Sequence, residues 1–309
     1  GHRPFTAVTG VRTPYGTPSF FCAIIANLHF EFLAMTWFVN YRLDKSVSVV
    51  DRGLAYGDGV FETIRVFPQC FLKINDHLSR LYRGLSKLAM PFSLEQKTSL
   101  YNFLYSDVLP LIHEESVVKI MISRGEGGRG YLAPENCIHS IIIGILPAPD
   151  YQVHREKGVS LSISPVPVSS NRFLAGMKHL NRLENVIAKQ YLSSPDFEAI
   201  MMNGNRELVE CIQSNLFWCK QGQFYTPSLE QSGVQGTYRK AIIENQSNYI
   251  VQVGRFLLCD LMAADEVFIT NSLMGIVPVI GVTGVSFPIG IHTRKLQILM
   301  QAKDMHGVH

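Results

Sequence analysis

The sequence predicts a mixed α/β (α+β) fold in two domains, on three observations. The chain has 309 residues, room for two ordinary domains. Stretches with strand periodicity and stretches with helix periodicity are interspersed, without the strict βαβ alternation of a doubly wound sheet. Between two such regions stands Pro147-Ala148-Pro149-Asp150, a stiff proline-marked connection of the kind that separates domains. The expected units are an extension over 1–34, an N-terminal α/β domain over 35–147, a linker over 148–158 and a C-terminal α/β domain over 159–309.

Residues 1–34 differ in character from the rest. They hold no methionine, and Met35 is the first in the chain. Pro4 to Pro18 is rich in Gly, Pro and Thr without periodicity, which reads as loop or disorder. Ser19 to Ala34 is apolar but broken by Asn27, His29 and Glu31, too short and too polar for a membrane span. No small-residue cleavage site follows a positive start and an apolar run, so a signal peptide is not indicated. The segment is expected to be non-native or disordered, with the native protein starting at Met35.

From Met35 the elements follow in order. Thr36 to Tyr41 and Val47 to Val50 read as strands, and Asp51-Arg52-Gly53 and Gly57-Asp58-Gly59 as turns. Phe61–Phe67 and Cys70–Ile74 flank Pro68-Gln69 as a hairpin. Asn75 or Asp76 is expected to cap a helix with Leu78, Leu81, Tyr82, Leu85 and Leu88 on one face, ended by Pro91. A second helix is expected over 93–108, then strands over 117–123 and 138–146. Beyond the linker the pattern predicts a strand over 159–168 and a helix over 182–192. Strands follow near 199–202, 207–211, 216–219 and 224–226, with turns at Asn203-Gly204 and Gln221-Gly222. A helix near 238–244 and strands near 250–253 and 266–270 come next, then an apolar tail and a helix from Thr293.

Composition narrows the function classes. The chain is 47% apolar and 17% charged with a net charge of +3, so neither nucleic acid nor a membrane surface is an expected partner. Cys22, Cys70, Cys137, Cys211, Cys219 and Cys259 form no C-x-x-C pair, so no metal site is expected. They read as free thiols of a reducing compartment, hence a cytoplasmic location. Gly125-Glu126-Gly127-Gly128-Arg129-Gly130 matches the dinucleotide fingerprint G-x-G-x-x-G. That fingerprint must open a helix, and here too few residues precede the next strand. The stretch is a hairpin loop instead.

One lysine stands in a distinctive context: Phe173-Leu174-Ala175-Gly176-Met177-Lys178-His179-Leu180-Asn181-Arg182-Leu183-Glu184-Asn185. An isolated lysine is a solvated charge far more often than a catalyst. Apolar neighbours and a close-approach glycine supply the partial desolvation that a Schiff-base lysine needs. This run closely resembles the lysine segment of the aminodeoxychorismate lyases, pyridoxal-phosphate (PLP) enzymes of the branched-chain-aminotransferase fold. The resemblance extends over nearly everything from Met35 onward, including Asp51 to Thr63, Asp76-His77-Leu78-Ser79-Arg80-Leu81, Leu208 to Phe217 and Gly233-Val234-Gln235-Gly236-Thr237-Tyr238-Arg239.

The resemblance implies a fold-type-IV enzyme, D-amino-acid-aminotransferase-like, with the cofactor between the domains of each subunit of a homodimer. It implies that Lys178 is catalytic and carries PLP as a Schiff base. It gives the cofactor phosphate to Arg80, to Gly236 and Thr237, and to Ser272 in Thr270-Asn271-Ser272. Glu210 is implied to face the pyridine nitrogen, and Arg182 falls near the position where transaminases place a tyrosine beside the cofactor's phenolic oxygen. Arg129 and Tyr131, in the glycine loop, are implied to lie near the small-molecule substrate. The implied reaction converts 4-amino-4-deoxychorismate to 4-aminobenzoate and pyruvate, in folate biosynthesis, by β-elimination. A D-amino-acid or branched-chain aminotransferase of the same fold is the alternative.

Overall fold

Alternating inward and outward residues build the first sheet. The structure, a computed structural model, describes residues 35–245 and 249–306; the expected extension over 1–34 lies outside the described residues. Strands β1 (Thr36–Val39), β2 (Arg42–Leu43), β3 (Gly59–Phe67), β4 (Cys70–Phe71), β5 (Ser116–Ser123) and β6 (Ser140–Pro147) pair antiparallel in the order β2-β1-β6-β5-β3-β4. Along β3, Val60, Ile64 and Val66 turn inward, as the two-residue period of a half-buried strand requires. Helix α1 (Arg52–Tyr56), helix α2 (Ile74–Lys87) and helix α3 (Leu94–Phe103) complete this half. Leu78, Leu81 and Leu85 of α2 pack into one core with β3, β5 and β6.

Several details depart from the sequence expectation, among them the expected strand Cys70–Ile74, which ends at Phe71 because Ile74 already opens α2. Val47 to Val50 is not a strand: Val47, Val49 and Val50 face solvent, and β1 pairs with β2 and β6 instead. The Asp51-Arg52-Gly53 turn is a helix start, because the Asp51 carboxylate accepts the Gly53 N–H at 2.7 Å and caps α1. Neither Asn75 nor Asp76 caps α2; Lys73 holds that position with no side-chain cap, and Asp76 sits in the first turn, where the helix dipole favours an acid. The second helix starts at Ser93 as expected, with a capping box to Gln96.

The second sheet holds nine strands: β7 (Val159–Ile163), β8 (Glu198–Met202), β9 (Leu208–Cys211), β10 (Asn215–Lys220), β11 (Gln223–Pro227), β12 (Val251–Gly254), β13 (Glu266–Asn271), β14 (Gly275–Val282) and β15 (Val285–Ser286). Eight of them run in the order β12-β11-β10-β13-β14-β7-β8-β9, with β15 on β14. Helix α4 (Gln152–Lys157), helix α5 (Leu183–Gln190), helix α6 (Thr237–Glu244), helix α7 (Leu258–Met262) and helix α8 (Ile291–His306) surround it. The expected strand to Val168 stops at Ile163, because the Ser164 hydroxyl accepts the Val166 N–H in a local turn around Pro165, which has no N–H to give. Among the described residues no helix is long and apolar enough to cross a membrane.

Candidate active site

Strand β3 sends its two faces to different tasks. Its inward face carries a carboxylate, Glu62, fully buried among Val60, Ile64 and Val66. A charge so placed must be paired and hydrogen-bonded. Helix α2 supplies the partners. Arg80 Nε donates to Glu62 Oε1 at 2.7 Å and Nη2 to Oε2 at 2.5 Å, while His77 Nδ1 lies 2.6 Å from Oε2. Burial alone raises the carboxyl, but the Arg80 guanidinium and the His77 contact outweigh it and hold Glu62 down at about 2. Arg80 is thereby aimed across the molecule, and its Nη1 donates to the Gln235 carbonyl at 3.0 Å.

The outward face of β3, with Phe61 and Thr63, borders a cavity of about 420 Å³. The lysine segment runs beside it. Phe61 N–H donates to the Lys178 carbonyl at 2.9 Å, and Leu180 N–H to the Gly59 carbonyl at 3.0 Å. On its other side Gly176, at φ 75, pairs with Val234: its N–H donates to the Gly233 carbonyl at 2.9 Å and its carbonyl accepts from Gln235 at 3.2 Å. Glycine suits this left-handed position, where a side chain is strained and a Cβ would press on Gln235 at 3.0 Å. The segment is thus fastened to β3 on one side and to the loop before Thr237 on the other, with Lys178 between them. Arg182 braces it further, donating to the carbonyls of Met177 and His179, one on either side of Lys178.

Lys178 Nζ sits 4.3 Å from the Phe61 ring centroid and forms no ion pair among the described residues. Desolvation, then the nearby Arg80 charge, pushes the amine down to about 8. Glu210 comes from β9 and is 5% exposed. Its Oε2 accepts the Val234 N–H at 2.9 Å, with Asn215 Nδ2 at 3.5 Å. Burial pushes this carboxyl up, against the pull of the Val234 amide and of Arg182, Lys178 and Arg239. At the far end, Gly236 precedes α6 and Thr237 opens it, and both line the cavity, so a helix start borders it, a position that suits an anion. Gly236 has no room for a side chain, since a Cβ would lie 2.1 Å from Asn215 Oδ1.

The cavity therefore gathers Lys178, Arg80, Glu210, Gly236, Thr237, Ser272 and Arg182. Arg129 and Tyr131 stand outside it. Tyr131 is 90% exposed, with its ring 5.5 Å from Tyr56. Their loop is wrapped around Arg52, whose guanidinium donates to the carbonyls of Gly127, Gly130, Tyr131 and Leu132 and pairs with Asp58. Ser272 spends its hydroxyl on the Thr63 carbonyl at 2.9 Å.

Sequence reasoning missed several groups. Glu62 and His77 had a signal, a lone acid at an inward position of an alternating strand. Thr270, fully buried with a hydroxyl that has no partner among the described residues, also lines the cavity. So do Tyr151, Asn185 and Lys189. Asn185 and Lys189 had the helical i, i+4 spacing as a clue once Arg182 was in view.

Comparison with known proteins places the chain in a family. Residues 59–282 match the model of the amino-transferase class IV family, and the chain belongs to that family. Within it, the chain is 37% identical over 272 residues to the aminodeoxychorismate lyase of Vibrio harveyi, covering 85% of this chain and 98% of that one. It is similar in structure to 4-amino-4-deoxychorismate lyase from Pseudomonas aeruginosa, with a TM-score of 0.82, 34% identity, and coverage of 86% of this chain and 98% of that one. It is 29% identical over 255 residues to a D-alanine aminotransferase of Listeria monocytogenes serotype 4b (strain F2365), covering 79% of this chain and 85% of that one.

Proposed function

We propose that this chain is a PLP-dependent aminodeoxychorismate lyase, converting 4-amino-4-deoxychorismate to 4-aminobenzoate and pyruvate. The observation that carries the reading is one cavity holding both a desolvated lysine amine and a buried carboxylate that forms no ion pair among the described residues. The residues fit the cofactor. Glu210 forms no ion pair among the described residues, so a pyridinium N–H would supply the cation it lacks. Thr270 has a buried hydroxyl without a partner among the described residues, and Arg80 with the start of α6 forms a basic, N–H-rich end suited to a phosphate. The similarity to lyases over almost their full length favours elimination over amino transfer.

When bound, the cofactor supplies an electron sink for the carbanion left as the amine-bearing carbon loses its proton. The protein does the rest. Arg80, pinned by Glu62, holds the phosphate end. Glu210 fixes the ring nitrogen in its protonated form. Lys178, lowered to about 8, keeps a far larger neutral fraction near physiological pH than an ordinary lysine, and the neutral amine is able to bond an aldehyde and to take the substrate's proton. The carbon–oxygen bond to the enolpyruvyl group then breaks, that group gains a proton to become pyruvate, and the carbocycle becomes aromatic. Arg182 keeps Lys178 in register through the two flanking carbonyls.

The proposal includes a homodimer in the cytoplasm, with domains over 35–147 and 159–309 joined by 148–158. Because Arg129 and Tyr131 do not line their own chain's cavity, as substrate contacts they act across the dimer interface. The test of the reaction is pyruvate release from aminodeoxychorismate by purified holoenzyme with no 2-oxo acid present. Turnover is expected without an acceptor; turnover that requires one would replace the lyase reading with an aminotransferase.

A further inference from the structure

The substrate of the proposed reaction carries two carboxylates, and the cavity's cations can be allotted among its tasks. Arg80 is locked to buried Glu62 and points at the phosphate end. Lys178 is the reacting amine. Arg182 spends Nε and Nη2 on the carbonyls of Met177 and His179. Among the described cations lining the cavity, that leaves Lys189 and, deeper in, Nη1 of Arg182.

Lys189 is exposed on the last turn of α5 and forms no ion pair among the described residues. Its ammonium has a single protein hydrogen bond, a long one of 3.4 Å to the Phe197 carbonyl. Arg182, Asn185 and Lys189 lie three and four residues apart, so one face of α5 borders the cavity. Seven residues separate the two cations, about 10 Å along the helix axis. That spacing puts Arg182 beside the reacting lysine and Lys189 at the rim.

A second donor reaches the same rim from a different element. Tyr151, at the start of α4, packs its ring against Phe197 with centroids 6.3 Å apart and also lines the cavity. Its hydroxyl makes no hydrogen bond within the protein among the described residues. Phe197 therefore gathers both groups, Lys189 through its carbonyl and Tyr151 through its ring. Two neighbouring amides are already engaged: Asn185 Nδ2 donates to the Ile212 carbonyl and Asn271 Nδ2 to the backbone carbonyl of Gln213.

We infer that Lys189 and Tyr151 form the rim site that receives a carboxylate of the substrate, and so set specificity for a carboxylated ring. The inference rests on the lyase reading. An ammonium contributes a charge-assisted bond and a phenol a neutral one, so Lys189 contributes more than Tyr151. Neither touches the cofactor end, so cofactor binding is independent of both.

The test uses holoenzyme variants Lys189→Met, Lys189→Arg and Tyr151→Phe. Lys189→Met is expected to raise KM for aminodeoxychorismate about tenfold with kcat changed less than about threefold. Lys189→Arg restores KM, and Tyr151→Phe raises it about threefold. The visible spectrum of the bound cofactor stays as in the parent. Equilibrium binding of 4-aminobenzoate and of pyruvate to the same proteins identifies which carboxylate is held, since only one of them weakens in Lys189→Met. An unchanged KM together with unchanged binding of both products overturns the inference. A fall in kcat with an altered spectrum also overturns it, since it would put Lys189 at the cofactor. Product binding is read without turnover, so a parent protein that released no pyruvate would sink the lyase reading while leaving the rim site measurable.

Discussion

Replacing Glu62 with glutamine tests how the cavity's phosphate end is held. Glu62 lies fully inside the protein, bonded to Arg80 and His77. Its carboxyl is lowered from 4.5 to about 2. At about 1.4 kcal/mol per pH unit that shift contributes roughly 3 kcal/mol of stability at neutral pH. The sign follows from the direction. A lowered carboxyl contributes fully above its unfolded value and loses its contribution as pH falls through the folded one. The window of loss therefore runs from about pH 4.5 down to about pH 2. Glu62→Gln leaves the Arg80 cation buried without its counter-charge, a change that costs roughly 3–5 kcal/mol in such settings. Urea unfolding of the parent and variant apoproteins, across pH, reads the difference directly. The gap should be near its full value at about pH 7 and shrink by roughly 2 kcal/mol by about pH 3. The variant should also bind the cofactor more weakly, because Arg80 loses the carboxylate that aims it. A gap that stays constant across this range would show that Glu62 does not act as a buried counter-ion, and the reasoning fails.

Two further outcomes follow from the titrating groups. Lys178, lowered to about 8, must be neutral to bond an aldehyde, so the rate of loading apoprotein with PLP should rise with pH and level off above about 8; an inflection near the ordinary lysine value of 10.5 would contradict the desolvated site. Glu198, buried on β8 and pushed up to about 7 chiefly by burial, favours the fold as a neutral acid below about 4.5 and loses that contribution as pH rises through about 7. Glu198→Gln should therefore gain roughly 3 kcal/mol relative to the parent between about pH 4 and about pH 8, read by urea unfolding; an equal offset at both ends would refute the assignment.

How much was legible in the sequence depends on the range of the interaction involved. Helix α3 could be read locally, from Ser93 and Gln96 in one capping box. The hairpin at Pro68-Gln69 could be read from turn chemistry, and Gln69 does take φ 73. Helices α1, α4 and α7 span five or six residues, too few to show a helical period. Strand β14 passes through Pro278, which reads as a breaker, yet pairs there with Phe268. On residues alone Lys178, Arg80 and Glu210 each resembled an ordinary surface charge; family resemblance grouped them, and the fold brings them to one cavity. The Glu62–Arg80 pair joins residues 18 apart across two elements, and the course of the glycine loop is fixed by Arg52, more than 70 residues away in sequence. No local pattern encodes either contact. The exposed position of Arg129 and Tyr131 belongs to the same class.

The central claim is that Lys178 is the residue that carries the cofactor. Reducing the holoenzyme with borohydride, digesting it and mapping the peptides by mass tests this directly. The account predicts the added cofactor mass on the peptide containing Lys178, and no incorporation in Lys178→Ala. Incorporation at a different lysine, or none in the parent, would contradict it.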